Sequence, residues 1–278
     1  MKLMANVENI HPRERVLRVI LHIVATITII YYALAYWITP GIWEHYEHHP
    51  KLAGAPKVTV TKEGIPGDPL NVGLEGTEGD VVHSMISAGW LPADPITFRT
   101  SARITASALF GKAYPTAPVS NLYLFGRVED LAFEQPVQGN TRQRNHVRFW
   151  RSDELGRGNR PFWIGAATFD RSVGVSHLTG KITHHIGPDL DEERDKLIND
   201  LATHGQLVSQ YQVTGVGSNL WGRNGGGDKY YTDGEMSVGV LTVSGSMNSA
   251  PVVLPANPVG VQAKNGVWTA LRWVLKKL

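Results

Sequence analysis

The chain has no cysteine among its 278 residues. That excludes disulfides, thiolate nucleophiles and cysteine-ligated zinc, and leaves histidine and carboxylates as the strong metal ligands. Neither sign of charge dominates. The 27 basic and 25 acidic residues give a formal net charge of +2, too even for the electrostatic footprint of a dedicated nucleic-acid binder, so no nucleic-acid partner is expected. Long polar low-complexity tracts are missing, and 29 glycines and 16 prolines are ordinary usage, so the chain is expected to fold. There is no internal repeat, no GxSxG elbow, no HExxH and no P-loop. GLEGTEG (73–79) matches no phosphate-binding spacing, and its acidic residues oppose anions. No cofactor is called for.

What is present begins with a run from Val19 to Ile38, VILHIVATITIIYYALAYWI, that carries no Asp, Glu, Lys or Arg. At about 1.5 Å per residue such a helix spans the roughly 30 Å hydrocarbon core of a bilayer. Tyr31, Tyr32, Tyr36, Trp37 and Trp43 crowd its C-terminal end, where amphipathic rings settle at a headgroup boundary, and Pro40-Gly41 stops the helix. A cleaved signal peptide would have a shorter apolar region and a small-residue cleavage site, so an uncleaved anchor is expected. Lys2, Arg13, Arg15 and Arg18 precede the run and only Lys51 and Lys57 follow closely. The positive-inside rule then puts the N-terminus in the cytoplasm and the main domain outside, which in a Gram-negative bacterium means an inner-membrane anchor with the domain in the periplasm.

The expected organisation is a cytoplasmic segment (1–18), a transmembrane helix (19–38), a tether (39–67), an α/β domain (68–245) and a C-terminal extension with an amphipathic helix (246–278). Within the domain, Leu70–Leu74 alternates like a strand, and Thr77 with Asp80 resembles the cap of a helix carrying Val81, Val82, Met85 and Ile86. A second helix is expected over Ser101–Phe110. Strands are expected at 121–135, 146–150 and 161–169, all rich in aromatic and branched residues. GPDLDEER opens the clearest helix, with Asp189 as cap, Glu192 completing a capping box, and Leu190, Leu197, Ile198 and Leu201 in one stripe. Strands at LVSQYQV and MSVGVLTV flank a glycine-rich loop, WGRNGGGDK. The fold class is therefore mixed α/β (α+β): one transmembrane helix followed by an α/β sandwich with a mixed sheet. The last helix carries Val267, Trp268, Leu271, Val274, Leu275 and Leu278 on one face, suited to lipid, a partner, or its own domain.

Polar chemistry concentrates in two places. Arg142, Arg144, His146 and Arg148 alternate along one predicted strand, so residues 144, 146 and 148 share a face. Guanidinium forks match phosphate or carboxylate oxygens, and a histidine among them can move a proton, so Arg127, Arg144, His146 and Arg148 form a candidate anion-binding set. The bland reading is a solvated face paired with Glu129, Asp130, Glu134 or Asp153, with Arg127–Asp130 a structural ion pair. The second concentration, a candidate polar cluster, is Asp170, His184, His185, Asp191 and Arg194. His177, one of the two adjacent histidines and Asp170, Asp189 or Asp191 offer histidine and carboxylate ligands, but their spacing matches no known metal motif, and no metal site is assigned. EHYEHHP (44–50) is likewise a metal or pH-sensing candidate set against a solvated linker.

Together LYLFGRVEDLAF, RQRNHVRFW, FWIGAAT with Asp170 after it, and ITHHIGPDLDEERDKLINDL resemble the LssY C-terminal domain family over roughly residues 68–240. The resemblance adds weight to Arg127, Arg144, His146, Arg148, Trp150, Asp170, His184, His185, Asp191 and Arg194 as motif positions and assigns none of them a role. In that family the domain often accompanies bacterial membrane modules of DedA-like and phosphatidic-acid-phosphatase-like type, which implies work at the cell envelope. This chain departs from such fusions in carrying a single span. The function expected is a noncatalytic accessory subunit, or a domain binding an anionic lipid or phosphate group, with the bilayer and a membrane complex as partners. The alternative is a phosphoester or lipid-phosphate hydrolase using His146 or His184 with carboxylates.

Overall fold

The computed structural model describes residues 12–38, 52, 54–93, 121–137, 140–177, 180, 182–214, 217 and 220–277. The helix expected at Ser101–Phe110, the EHYEHHP stretch and the stop at Pro40-Gly41 lie outside the described residues. The chain divides into two compact units, Met1–Tyr46 and Glu47–Leu278.

The first unit is α1 (Pro12–Ala33), continued by a π-helical turn at Leu34–Ile38. This 27-residue helix is long and apolar enough to cross a membrane, and none of its side chains is buried among the described residues. Among the described residues the helix already includes Pro12–Arg18 ahead of the apolar run, because the charged residues there are good helix formers. His22 Nδ1 lies 2.6 Å from the Arg18 carbonyl one turn back, so the polar ring is satisfied within its own helix. Tyr32 stacks on Tyr36.

The second unit runs β1 (Val58–Val60), β2 (Pro66–Pro69), β3 (Val72–Glu75), α2 (Glu78–Ser87), β4 (Leu91–Pro92), β5 (Tyr123–Leu124), β6 (Arg127–Val128), β7 (Leu131–Val137), β8 (Asn140–Leu155) and β9 (Pro161–Val175). It continues with β10 (Ile182–Ile186), α3 (Leu190–Thr203), β11 (Leu207–Val213), β12 (Trp221–Arg223), β13 (Lys229–Tyr231), β14 (Met236–Leu241) and α4 (Val259–Leu275). The large sheet has the order β11-β14-β3-β9-β8-β7-β4, with β10 pairing the far end of β9. Only β14 and β3 run parallel, so the sheet is mixed.

One face of this sheet presents Leu131, Phe133, Val147, Phe149, Trp163 and Ala167 to Val81, Val82 and Met85 of α2 and to Leu197, Ile198 and Leu201 of α3. The opposite face presents Leu70, Trp150, Ile164, Ala166, Met236 and Val238 to Leu52, Leu122 and Leu124, which belong to or flank a second sheet of order β2-β1-β5-β6. With both faces covered, β9 reads as the continuous apolar run FWIGAA rather than an alternating one. Gly165 interrupts that run because the Phe149 ring lies over it: a Cβ there would meet the ring at 2.7 Å.

Three expectations change. The domain begins by Leu52, well inside the expected tether, because Leu52 is buried in the second core and β1 pairs with both β2 and β5. The strand expected over 121–135 is broken into three, since Phe125 and Gly126 both take positive φ (53° and 74°) and make a two-residue hairpin turn between β5 and β6. The expected C-terminal extension is part of the domain: Trp268 of α4 is buried and donates its indole N–H to Asp191 at 2.8 Å. At the helix starts, Thr77 and Asp80 form the full reciprocal capping box of α2. Asp189 caps α3 alone, accepting from the Glu192 N–H. The other half is not formed, because the Glu192 carboxylate pairs with Lys276 of α4.

Candidate functional site

The densest polar group lies on the face of β7, β8 and β9 that turns away from α2 and α3. Register builds it. Glu134, His146 and Thr168 stand directly across from one another on the three strands, and Arg144 stands across from Asp170. Period-two alternation then brings Glu134, Arg144, His146, Arg148 and Asp170 to one face. Arg144 donates to Glu134 Oε2 at 2.9 Å. Arg148 donates to Asp68 Oδ2 at 3.3 Å, and its Nε is 3.9 Å from Glu129 Oε1. His146 sits between two carboxylates, Nε2 3.9 Å from Glu134 and Nδ1 3.8 Å from Asp170. The ring is only 1% exposed, and among the described residues neither nitrogen makes a hydrogen bond.

Burial sets the protonation of this group. Loss of solvent, followed by the influence of Arg148, His184 and Arg144, holds His146 well below the usual imidazole range, so the ring is neutral. Burial pushes the Asp170 carboxyl up to about 7 against the pull of Arg148, and raises Glu134 and Asp68 as well. Two guanidiniums thus face four acidic side chains, Asp68, Glu129, Glu134 and Asp170. The expected cationic face is an ion-paired network buried in the domain, not a solvated stripe, and its positive charge is already matched.

Arg127 is not with the others. It forks onto Asp130 (3.2 and 2.7 Å), donates to the Arg151 carbonyl, and lines a separate cavity of about 480 Å³ with Asp130, Arg151, Ser152 and Asp153. Trp150 is a core residue whose indole N–H donates to the Arg127 carbonyl.

The expected polar cluster divides in three. Asp170 joins the sheet network. His184 contributes to its field, and burial followed by Arg144 and Arg148 lowers its own pKa. Asp191 and Arg194 belong to a clamp between α3 and α4. Asp191 accepts from Thr232 Oγ1 (2.7 Å), the Asp233 N–H (3.0 Å) and Trp268 Nε1 (2.8 Å). Arg194 forks onto Asp233 at 2.7 and 3.1 Å. Arg272 of α4 closes on Asp189 at 2.7 Å, and Lys264 pairs with Glu235. These contacts tie α3 to residues 232–235 and, through Trp268, Lys264 and Arg272, to α4, a structural task.

His185 turns instead to Asp228, at 2.8 Å. His177 Nε2 comes within 3.8 Å of the same carboxylate oxygen. This trio is the group of histidine and carboxylate side chains close enough to hold a metal ion among the described residues. Sequence reading had two of its members in view and missed Asp228. The signal for it was the glycine-rich WGRNGGGDK loop, whose close backbone turns hold that aspartate.

No curated protein and no solved structure matches the chain. The family described as LssY C-terminus matches residues 52–236, a span that begins at Leu52, the first core residue among the described residues, and ends at the start of β14. It takes in every strand of the buried network and both helices that cover the sheet, and on that match the chain belongs to the LssY C-terminal family.

Proposed function

We propose that this chain is a noncatalytic accessory protein of a bacterial cell envelope, anchored in the inner membrane by α1 with its LssY C-terminal domain on the periplasmic side, and that the domain works against the bilayer surface. The arginines at the start of α1, Arg13, Arg15 and Arg18, support the orientation by the positive-inside rule. The carrying observation is the state of α4. Its polar edge is spent on the domain through Arg272, Lys276 and the buried Trp268. Its other side leaves Val259, Val267, Leu271, Trp273 and Val274 exposed, with the Lys277 ammonium 3.3 Å from the centre of the Trp273 ring. An apolar ridge with an interfacial tryptophan and a lysine suits the headgroup boundary. Tethering raises the local lipid concentration, so a ridge of modest intrinsic affinity is enough.

The matched charge of the Arg144–Arg148 face argues for lipid contact through α4 rather than capture of a free anion inside the sheet. The hydrolase alternative draws on the neutral His146 beside Asp170, a pairing with acid–base character. Both groups are buried, so a substrate could reach them only after a rearrangement of the domain.

The test is flotation of the domain, residues 47–278, with phosphatidylglycerol vesicles and with phosphatidylcholine vesicles. The domain is expected to float with the former, and Val267→Glu together with Trp273→Glu is expected to abolish it. A domain that floats with neither lipid, or a double variant that floats as well as the parent, rules the reading out.

A further inference from the structure

Three segments distant in sequence meet beside β10. His185 is on that strand, His177 follows the end of β9, and Asp228 lies between β12 and β13. Asp228 is the anchored member: its side chain is 2% exposed, and Oδ2 accepts the Ile186 N–H at 3.2 Å, which aims Oδ1 at the two rings. The loop behind it is fixed from within. Asn224 Oδ1 accepts the N–H groups of Gly226 and Asp228 at 3.0 and 2.9 Å, and Arg223 donates to the Gly227 carbonyl at 2.7 Å. The backbone of His177 is tied to the same loop through its N–H to the Gly226 carbonyl at 2.9 Å. Glycine is required along it: a Cβ on Gly225 would meet Thr61 at 2.8 Å, and Gly227 has φ of 88°.

We propose that His177, His185 and Asp228 form a binding site for a divalent transition-metal ion of the zinc type. Two imidazole nitrogens and one carboxylate oxygen are a borderline ligand set, suited to zinc and its neighbours rather than to the all-oxygen shells of calcium or magnesium. Ligands at about 2.0–2.1 Å from a tetrahedral centre stand about 3.4 Å from one another. Here Asp228 Oδ1 is 2.8 Å from His185 Nδ1 and 3.8 Å from His177 Nε2, and all three atoms lie within 4.8 Å of each other. Side-chain shifts of about an ångström close them around an ion, which replaces the His185–Asp228 hydrogen bond. The gradient of exposure fits a loading route, since His177 is 63% exposed, His185 15% and Asp228 2%. Three protein ligands with the outermost in solvent leave a fourth position for water or an anionic oxygen. The second contacts that hold Asp228 are those a metal ligand needs to stay aimed.

The test uses the full chain in detergent, stripped with a chelator, equilibrated with Zn²⁺ and desalted, with bound metal measured by elemental mass spectrometry. About one zinc per chain is expected to stay bound. His177→Ala changes an exposed side chain and leaves the fold intact by circular dichroism; it is expected to weaken binding at least tenfold, and His177→Ala with His185→Gln to abolish it. A His45→Ala, His48→Ala, His49→Ala variant is expected to bind as the parent does. Replacing zinc with Co²⁺ is expected to give visible bands of a four-coordinate ion that vanish in His177→Ala. A parent chain that retains no zinc, an unaffected His177→Ala variant, or loss of binding in the 45/48/49 variant overturns the assignment.

Discussion

The two faces of β7, β8 and β9 are one residue apart and have opposite chemistry. Phe133, Val147, Phe149 and Trp163 seal one face under α2 and α3, while Glu134, His146, Arg148 and Asp170 occupy the other. Both are buried. The first face is what the hydrophobic effect selects. The second retains ionic groups where apolar ones would be cheaper to bury, since desolvation of an ion pair commonly cancels its attraction. The first face is thus held by the apolar area it buries, the second by each buried charge keeping its partner.

Substitutions sharpen that comparison. The largest loss is expected from Phe149→Ala, which removes the ring lying across Gly165 and leaves a cavity between sheet and helices. About 3–5 kcal/mol of stability should disappear, read from the urea midpoint of residues 47–278. On the charged face, Arg148→Ala should cost about 3 kcal/mol, because Asp68 and Glu129 are left buried without their cation. A cost below about 1 kcal/mol would mean that water reaches the network, and the two faces would differ less than their burial indicates.

The smallest effect is a pH dependence. Burial raises Glu193 to about 8 and Asp170 to about 7 in the folded chain, against ordinary carboxylate values when unfolded. Between those values the folded state binds more protons than the unfolded state, so stability falls as pH rises. His146, depressed when folded, acts in the opposite direction only below the normal imidazole range. Lys264, lowered by burial to about 8, adds stability only above that pH. From pH 6.5 to 8 the carboxyls therefore decide the slope, and the domain should lose about 1–2 kcal/mol, seen as a drop of several degrees in Tm. Glu193→Gln should remove most of the loss. A flat profile in the parent would show that the Glu193 carboxyl is hydrated.

Much of the fold was legible because its signals are local. The Thr77–Asp80 cap, the stripe Leu190, Leu197, Ile198 and Leu201, and the branched and aromatic runs of β8 and β9 each declare themselves within a few residues. The second sheet was legible only in part: KVTVTK (57–62) reads as a short strand and contains β1, but the other strands are two to four residues long, too short for period two to register, and one of the turns places Phe125 where glycine or asparagine is usual. The pairing of Arg148 with Asp68 of β2 was therefore not legible either. Arg144, His146 and Arg148 looked solvated because nothing nearby in sequence covers them. Asp228 was invisible for a related reason, since its partner His185 is 43 positions away. Asp191 and Arg194 sit beside His184 and His185 in sequence, yet they serve the α4 clamp, because the turn at Gly187-Pro188 carries the chain from a strand into a helix.

The Asp191 carboxylate receives one of its hydrogen bonds from an indole 77 positions later in the chain. During synthesis that acid, completely buried in the finished domain, has to wait until α4 has cleared the ribosome before its set of donors is complete. A polypeptide stalled or clipped between β14 and α4 would keep the donors from Thr232, Asp233 and Arg194 but leave the Asp191 carboxylate short of its indole partner. The hydrogen-bond set of Asp191 is therefore complete only once the sequence has been read through Trp268.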